Sequence, residues 1–300
     1  MSNEAYTVTA ACDDVMQVGE SPLWHPDQQT LYWVDIDGFA VHSLHPASGR
    51  HHKWPMASEP SALAIGSNGG LIVALRAGIM HLNTDSGELT AIAAAPYDTA
   101  TTRFNDGKTD AAGRFWVGTI YEPRDKPAAD MYVLDKGELR LAWPTHVVNS
   151  NGLAFSPDNT VLYHADTAGH KVTRYAFDAA AGAISAPQVL HQFSSDKSAP
   201  DYGGRPDGAA VDADGNYWVA LFEGGRIVKL SPSGALLEEI ALPARCPTMV
   251  TFGGDDLTTL YITTAGKRPA EELARLPLSG KVLQVKANVA GRPAAIYQES

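Results

Sequence analysis

The sequence predicts an all-β fold, a single six-bladed β-propeller over residues 1–300 with a central channel. Three observations predict it. An apolar or aromatic run, led in by a polar turn, occurs six times: "TLYWVD", "GLIVAL", "RFWVGT", "VLYHAD", "NYWVAL" and "TLYITT". With Tyr32, Ile72, Trp116, Tyr163, Trp218 and Tyr261 as markers, the steps are about 40, 44, 47, 55 and 43 residues, the spacing of propeller blades. Between markers the pattern is β, with runs such as "GRIVKL" and "KVLQVK" separated by the turn clusters "HPASG", "NTDSG", "DADG" and "SPSG".

Each repeated run is therefore assigned to a blade strand, and each turn cluster to a hairpin. Helical periodicity is confined to "AEELARL", read as a helical turn in a loop; the Ala-rich "DAAAGAIS" is read as a hairpin connection. Blade sheets pack face to face, so both sides are covered and large aromatics fill the space. Trp33, Trp116 and Trp218 are accordingly expected in the core. Pro and Gly are spread along the chain as turn residues with no long linker, which implies one domain.

Composition bounds the function. At 44% hydrophobic and 19% charged the chain has ample apolar material for a large core. The formal net charge of −11 argues against nucleic acid or an anionic membrane surface as partner. Cys12 and Cys246 are far apart and in no metal-ligand spacing, so two reduced thiols are expected. The amino terminus lacks a basic, apolar leader pattern and no stretch is long enough to span a membrane. A soluble, cytoplasmic monomer or homodimer is the expectation.

The residues leading into the repeated runs carry the chemistry. Glu20 in "ESPLWHPD", Asn105 in "NDGKTDAAG", Asn151 in "NGLAFSPD" and Asp207 in "DGAAVDADG" share one phase, and Ser61 and Thr248 hold roughly the same place in the other two repeats. In a propeller, one phase in every repeat means one level of one axis. Two carboxylates, two amides and two hydroxyls, without thiolate or imidazole, suit a hard cation, Ca²⁺ above all; Glu20, Asn151 and Asp207 are the candidate ligands. Each motif alone reads as a turn former. The shared phase favours the ring, because a turn has no need of Glu20, and two buried carboxylates without a cation repel.

These motifs, "GESPLW", "RFNDGKTDAAGRFWVGT", "NGLAFSPD" and "PDGAAVDADGNYWVA", resemble the SMP-30/gluconolactonase (regucalcin-like) family over about Gly19 to Lys286. The resemblance implies a six-bladed propeller with one divalent metal (Ca²⁺, with Zn²⁺, Mn²⁺, Mg²⁺ or Fe²⁺ as alternatives) on Glu20, Asn151 and Asp207. It further implies contacts to a small-molecule sugar lactone from Arg103 and Asn105. Glu122 in "GTIYEPRD" is a near match to a further acidic contact.

The reaction expected is lactone hydrolysis to the aldonic acid, with the metal polarising the carbonyl and Asp207 acting as, or orienting, the base. A metal-bound carboxylate is a weaker base, so orientation of the water is the alternative role. An organophosphate or other ester hydrolase on the same site, and a non-catalytic calcium-binding propeller, are the competing readings; Arg103 and Asn105 speak against the last. No G-x-S-x-G, H-E-x-x-H or P-loop is present, and "SSDK" lies in a polar loop. His164 is read as a packed imidazole, with the channel as its alternative. Arg124, Lys126, Lys197 and Arg205, in mouth loops, would favour an acid-bearing or sulfonated lactone; solvated charge explains them equally.

Overall fold

The computed structural model describes residues 6–300 and consists of six sheets around one axis, antiparallel but for one short added strand. The innermost strands are Gly19–His25, Pro60–Gly66, Thr102–Thr109, Ser150–Phe155, Arg205–Val211 and Pro247–Gly253, and neighbours touch in a closed ring. The second strands are Thr30–Asp35, Leu71–Leu75, Phe115–Tyr121, Val161–Asp166, Tyr217–Phe222 and Thr259–Thr264. All six markers fall in these second strands, where neighbouring blades cover both faces. Trp33, Trp116 and Trp218 are fully buried there, as large filler between sheets requires.

The ring is closed by the start of the chain. Thr9–Ala10 pairs antiparallel with Leu283–Lys286 and so completes the blade built by the end of the repeats. Farther on, Ile296–Tyr297 adds parallel to the end of Pro60–Gly66. Tyr297 is buried and its hydroxyl accepts the Gly137 N–H at 2.7 Å. The helical turn in "AEELARL" is Ala270–Arg275, and "DAAAGAIS" joins the hairpin of Lys171–Asp178 and Ala183–Gln192. Cys12 and Cys246 are free thiols. Among the described residues no helix is long and apolar enough to cross a membrane.

Every innermost strand slips its register at one level: between Glu20 and Leu23, Pro60 and Ala62, Phe104 and Gly107, Asn151 and Ala154, Pro206 and Ala209, and Pro247 and Met249. A bulge of this kind inserts an unpaired residue and re-aims its side chains. The Asn-Asp-Gly, Asn-Gly and Asp-Gly strings, which read locally as turns, therefore lie inside strands. Gly152 shows why the glycine is needed. Its φ is 60°, and a Cβ there would sit 2.6 Å from the Ala165 Cβ and 3.0 Å from the Asp207 carbonyl oxygen. Only glycine lets Asn151 turn while the strand bearing Asp207 comes this near.

The second acid of the repeated strings has a different task. Asp110 accepts the Ala112 and Arg114 N–H groups, the Arg114 Nε at 2.7 Å and the Trp116 indole at 2.8 Å. Asp212 repeats this on Asn216 and the Trp218 indole, at 2.8 and 2.9 Å. Both carboxylates are buried; they close the first hairpin of their blades and orient its tryptophan.

Candidate functional site

The bulges open onto a cavity of about 470 Å³ at one end of the channel. Glu20, Arg103, Asn105, Glu122, Asn151 and Asp207 all line it. Of the two phase-matched hydroxyls, Thr248 lines the cavity and Ser61 does not. Both are engaged by protein: Ser61 donates to the Ala74 carbonyl, and Thr248 Oγ1 lies 2.5 Å from the Gly19 carbonyl oxygen. Four of the six equivalent positions thus present carboxylate or amide groups to the cavity.

The amides are fixed by one another. Asn105 Nδ2 lies 2.7 Å from Asn151 Oδ1, 2.9 Å from Asn149 Oδ1 and 3.0 Å from the Ser150 carbonyl. Asn151 Nδ2 donates to Thr167 Oγ1, which donates in turn to the Pro206 carbonyl, both at 2.8 Å. This chain ties the blade of Asn151 to the strand of Asp207. It also settles which end of Asn151 is oxygen, since the other end has only a hydrogen-bond donor's role.

The carboxyls are buried beside one another, and nearby Arg103 and Arg205 offset that only in part. Burial, then the proximity of Asp207 and Asp106, pushes the Glu20 carboxyl well above its ordinary range, and burial, then Asp106, pushes Asp207 up to about 8. Among the described residues no ion pair reaches either. Asp106, which the sequence reading passed over, is a third buried acid here. One of its oxygens accepts the Leu153 N–H at 2.8 Å, the other is buried without a hydrogen-bond partner among the described residues, and burial pushes the carboxyl up to about 6. Lys108 lines a smaller cavity at the opposite end of the channel; burial pushes it down, opposed by Asp106 and Glu20.

Arg103 and Glu122 belong to an ion-pair lattice that the sequence reading also missed. Arg76 forks onto Glu59, with both contacts at 2.8 Å, and onto Glu122 at 2.9 and 3.0 Å. Arg103 Nε stands 3.4 Å from Glu122, and Arg103 Nη1 donates at 2.9 Å to the Phe104 carbonyl and to Asn105 Oδ1. Glu122 faces the site with its charge already shared by two guanidiniums. Among the described residues Arg103 spends Nη1 and Nε on protein and leaves the two N–H groups of Nη2 free.

His164 is not in the cavity. It is buried, with Nε2 2.8 Å from Ser150 Oγ and its ring edge-on to Trp143. Burial, helped by Lys171, lowers its pKa to about 4; for His42, burial together with His51 and Lys53 lowers it to about 3. Below the ordinary histidine range near 6.5 the unfolded chain takes up protons that these native imidazoles refuse. Stability present above that pH is therefore lost as pH falls toward 4 and below. Thermal melts across that window are expected to show a falling midpoint, and a smaller fall in His164→Gln; an identical fall in the variant would count against it.

A propeller whose axial cavity gathers carboxylates and amides from separate blades, beside a guanidinium with spare donors, places its chemistry at the hub. Residues 18–266 match the SMP-30/gluconolactonase/LRE-like region, and the chain belongs to that family. It is 44% identical to the 6-deoxy-6-sulfogluconolactonase of Pseudomonas putida, over 91% of this chain and 92% of that one. Identity to the pentonolactonase of Haloferax volcanii is 35%, over 87% and 86% of the two chains. Among solved structures it superposes on the calcium-binding protein regucalcin from Agrobacterium tumefaciens with a TM-score of 0.91, at 27% identity and with 98% of each chain covered.

Proposed function

We propose that the chain hydrolyses a sugar lactone of the aldonolactone class to the aldonic acid, using one divalent cation held by Glu20, Asn151 and Asp207. The observation that carries the reading is the convergence of these residues, from three blades, in one cavity with Arg103 and Asn105. Two lactonases among the relatives support the reaction. The donor set fits a cation: two buried carboxyls without an ion-pair partner and an amide oxygen fixed in orientation make a hard, all-oxygen site. Ca²⁺ suits that set best, with Zn²⁺, Mn²⁺, Mg²⁺ and Fe²⁺ as alternatives.

When bound, the cation supplies electrophilic polarisation of the lactone carbonyl. The remaining work falls to side chains. Asp207 receives or steers the proton of the attacking water. The spare Nη2 donors of Arg103 fork onto sugar hydroxyls, and Asn105, pinned by Asn149 and Asn151, holds the rim against which the ring docks. Glu122 anchors Arg103, which makes it a positioning residue in this reading. Water adds to the carbonyl carbon, the ring C–O bond breaks, and the acid product releases a proton.

That proton is the readout. A pH-indicator assay on glucono-, xylono-, arabino- and galactonolactone, corrected for spontaneous opening, is expected to show turnover that exhaustive chelation abolishes and Ca²⁺ restores. Full turnover in protein shown by elemental analysis to be metal-free would sink the metal-dependent reading. Turnover of a phosphotriester with none on any lactone would replace it by an organophosphatase.

A further inference from the structure

Cations and acids lining the cavity are equal in number, five of each, but unevenly placed. On one side charges cancel: Arg76 and Arg103 face Glu59 and Glu122, and Lys267 meets Asp37 at 2.7 Å. On the other side they do not. Glu223 is shared between Lys197 at 3.2 Å and Arg205 at 3.5 Å, and Glu272 between Arg268 at 2.9 Å and Arg245 at 3.1 Å. Arg124 lines the cavity and makes no ion pair among the described residues. Each of these three places leaves a positive charge over, in a chain whose formal net charge is −11. A local surplus of cations on one side of the mouth favours an anionic group at that side.

Arg205 is the cation that the fold builds into the wall. It opens the strand Arg205–Val211 two residues before Asp207, and its guanidinium lies over the Phe222 ring, 5.2 Å from the centroid. Its side chain is one-fifth exposed and lines the cavity, and among the described residues its guanidinium makes no hydrogen bond to protein, with Glu223 3.5 Å away. A guanidinium whose exposed donors are unspent on protein can give them to a ligand. The placement depends on Gly204, with φ of 87°, where a Cβ would lie 2.6 Å from both the Phe222 carbonyl oxygen and the Gly224 nitrogen. Glycine there lets the two turns close on each other and brings Arg205 beside Glu223.

We propose that Arg205 is a specificity-determining residue that receives a fixed anionic substituent of the lactone, a sulfonate, carboxylate or phosphate borne away from the ring carbonyl. The proposal rests on the lactonase reading and names the substrate class of the same site. An oxyanion presents paired acceptors that match the planar donor fork of a guanidinium, while an ammonium offers only a point charge. Arg124 and Arg268 add attraction at longer range, which salt screens.

Calorimetric titration of wild type, Arg205→Gln and Arg205→Lys with 6-deoxy-6-sulfogluconate and with gluconate tests this without requiring turnover. The kcat/KM ratio for the two corresponding lactones is measured alongside. Wild type is expected to bind the sulfonated acid about tenfold or more tightly than gluconate, less so at high salt. Arg205→Gln loses the preference, Arg205→Lys keeps part of it, and the lactone ratio follows through KM. Equal binding of the two acids by wild type, or a preference intact in Arg205→Gln, would overturn the proposal. A binding preference present in wild type and lost in Arg205→Gln, with no turnover of either lactone, supports the anion site and rejects the lactonase reading alone.

Discussion

Lactone turnover in Asp207→Asn is expected to fall by about 10³-fold or more, the combined loss of a cation ligand and of the group that handles the water proton. The fold is expected to tolerate the change. Asp207 makes no ion pair among the described residues, and burial and the like charge of Asp106 outweigh the pull of Arg205 and Arg103 on it. An amide of the same shape removes that repulsion, so the melting temperature measured in chelator should be no lower than that of wild type. Glu20→Gln behaves alike, since Glu20 is buried, faces both other acids and loses only its hold on the cation. The pairing of lost turnover with unimpaired melting is what a ligand predicts and a structural acid does not. Near-full turnover in either variant, or a melting temperature that drops sharply in both, would remove them from the cation site.

How far this site was legible in the sequence follows from where its information lies. Blade count and phase are carried by the second strands, whose aromatic and β-branched runs recur at blade spacing, so Glu20, Asn105, Asn151 and Asp207 come to one level from periodicity alone. Asp106 escaped the same reasoning. Strand alternation sends the neighbour of an axial residue away from the axis, but the bulge between Phe104 and Gly107 leaves Asn105 and Asp106 both unpaired. Arg76 escaped because its partners Glu59 and Glu122 lie in other parts of the chain, with nothing in local composition to join them. Ring closure by Thr9–Ala10 and the short parallel pairing of Ile296–Tyr297 are two residues each, too brief for any period to register. Ser61 kept the phase without reaching the cavity, and its hydroxyl donates to the Ala74 carbonyl.

The opposite behaviour is expected of Asp110, the second acid of "NDGKTDAAGRFW". Asp110→Ala is expected to cost about 3–5 kcal/mol, the range for breaking a buried pair from one side. The change strands the Arg114 guanidinium and the Trp116 indole N–H, both enclosed with it, and frees the Ala112 and Arg114 N–H groups of the hairpin. With an unfolding entropy near 2.1 cal/mol/K per residue over 300 residues, that is a fall in melting temperature of about 5–8 °C if the propeller unfolds as one unit. Asp212→Ala should fall comparably, because its carboxylate holds Asn216 and the Trp218 indole in the equivalent turn and also lies 3.7 Å from the Lys229 ammonium. Neither acid lines the axial cavity, so residual folded protein should keep its kcat and its cation affinity. Differential scanning calorimetry with active-site titration separates the two effects. Melting unchanged in both variants would mean that these carboxylates do not brace their blades, and a selective loss of kcat at unchanged melting would place them in the chemistry after all.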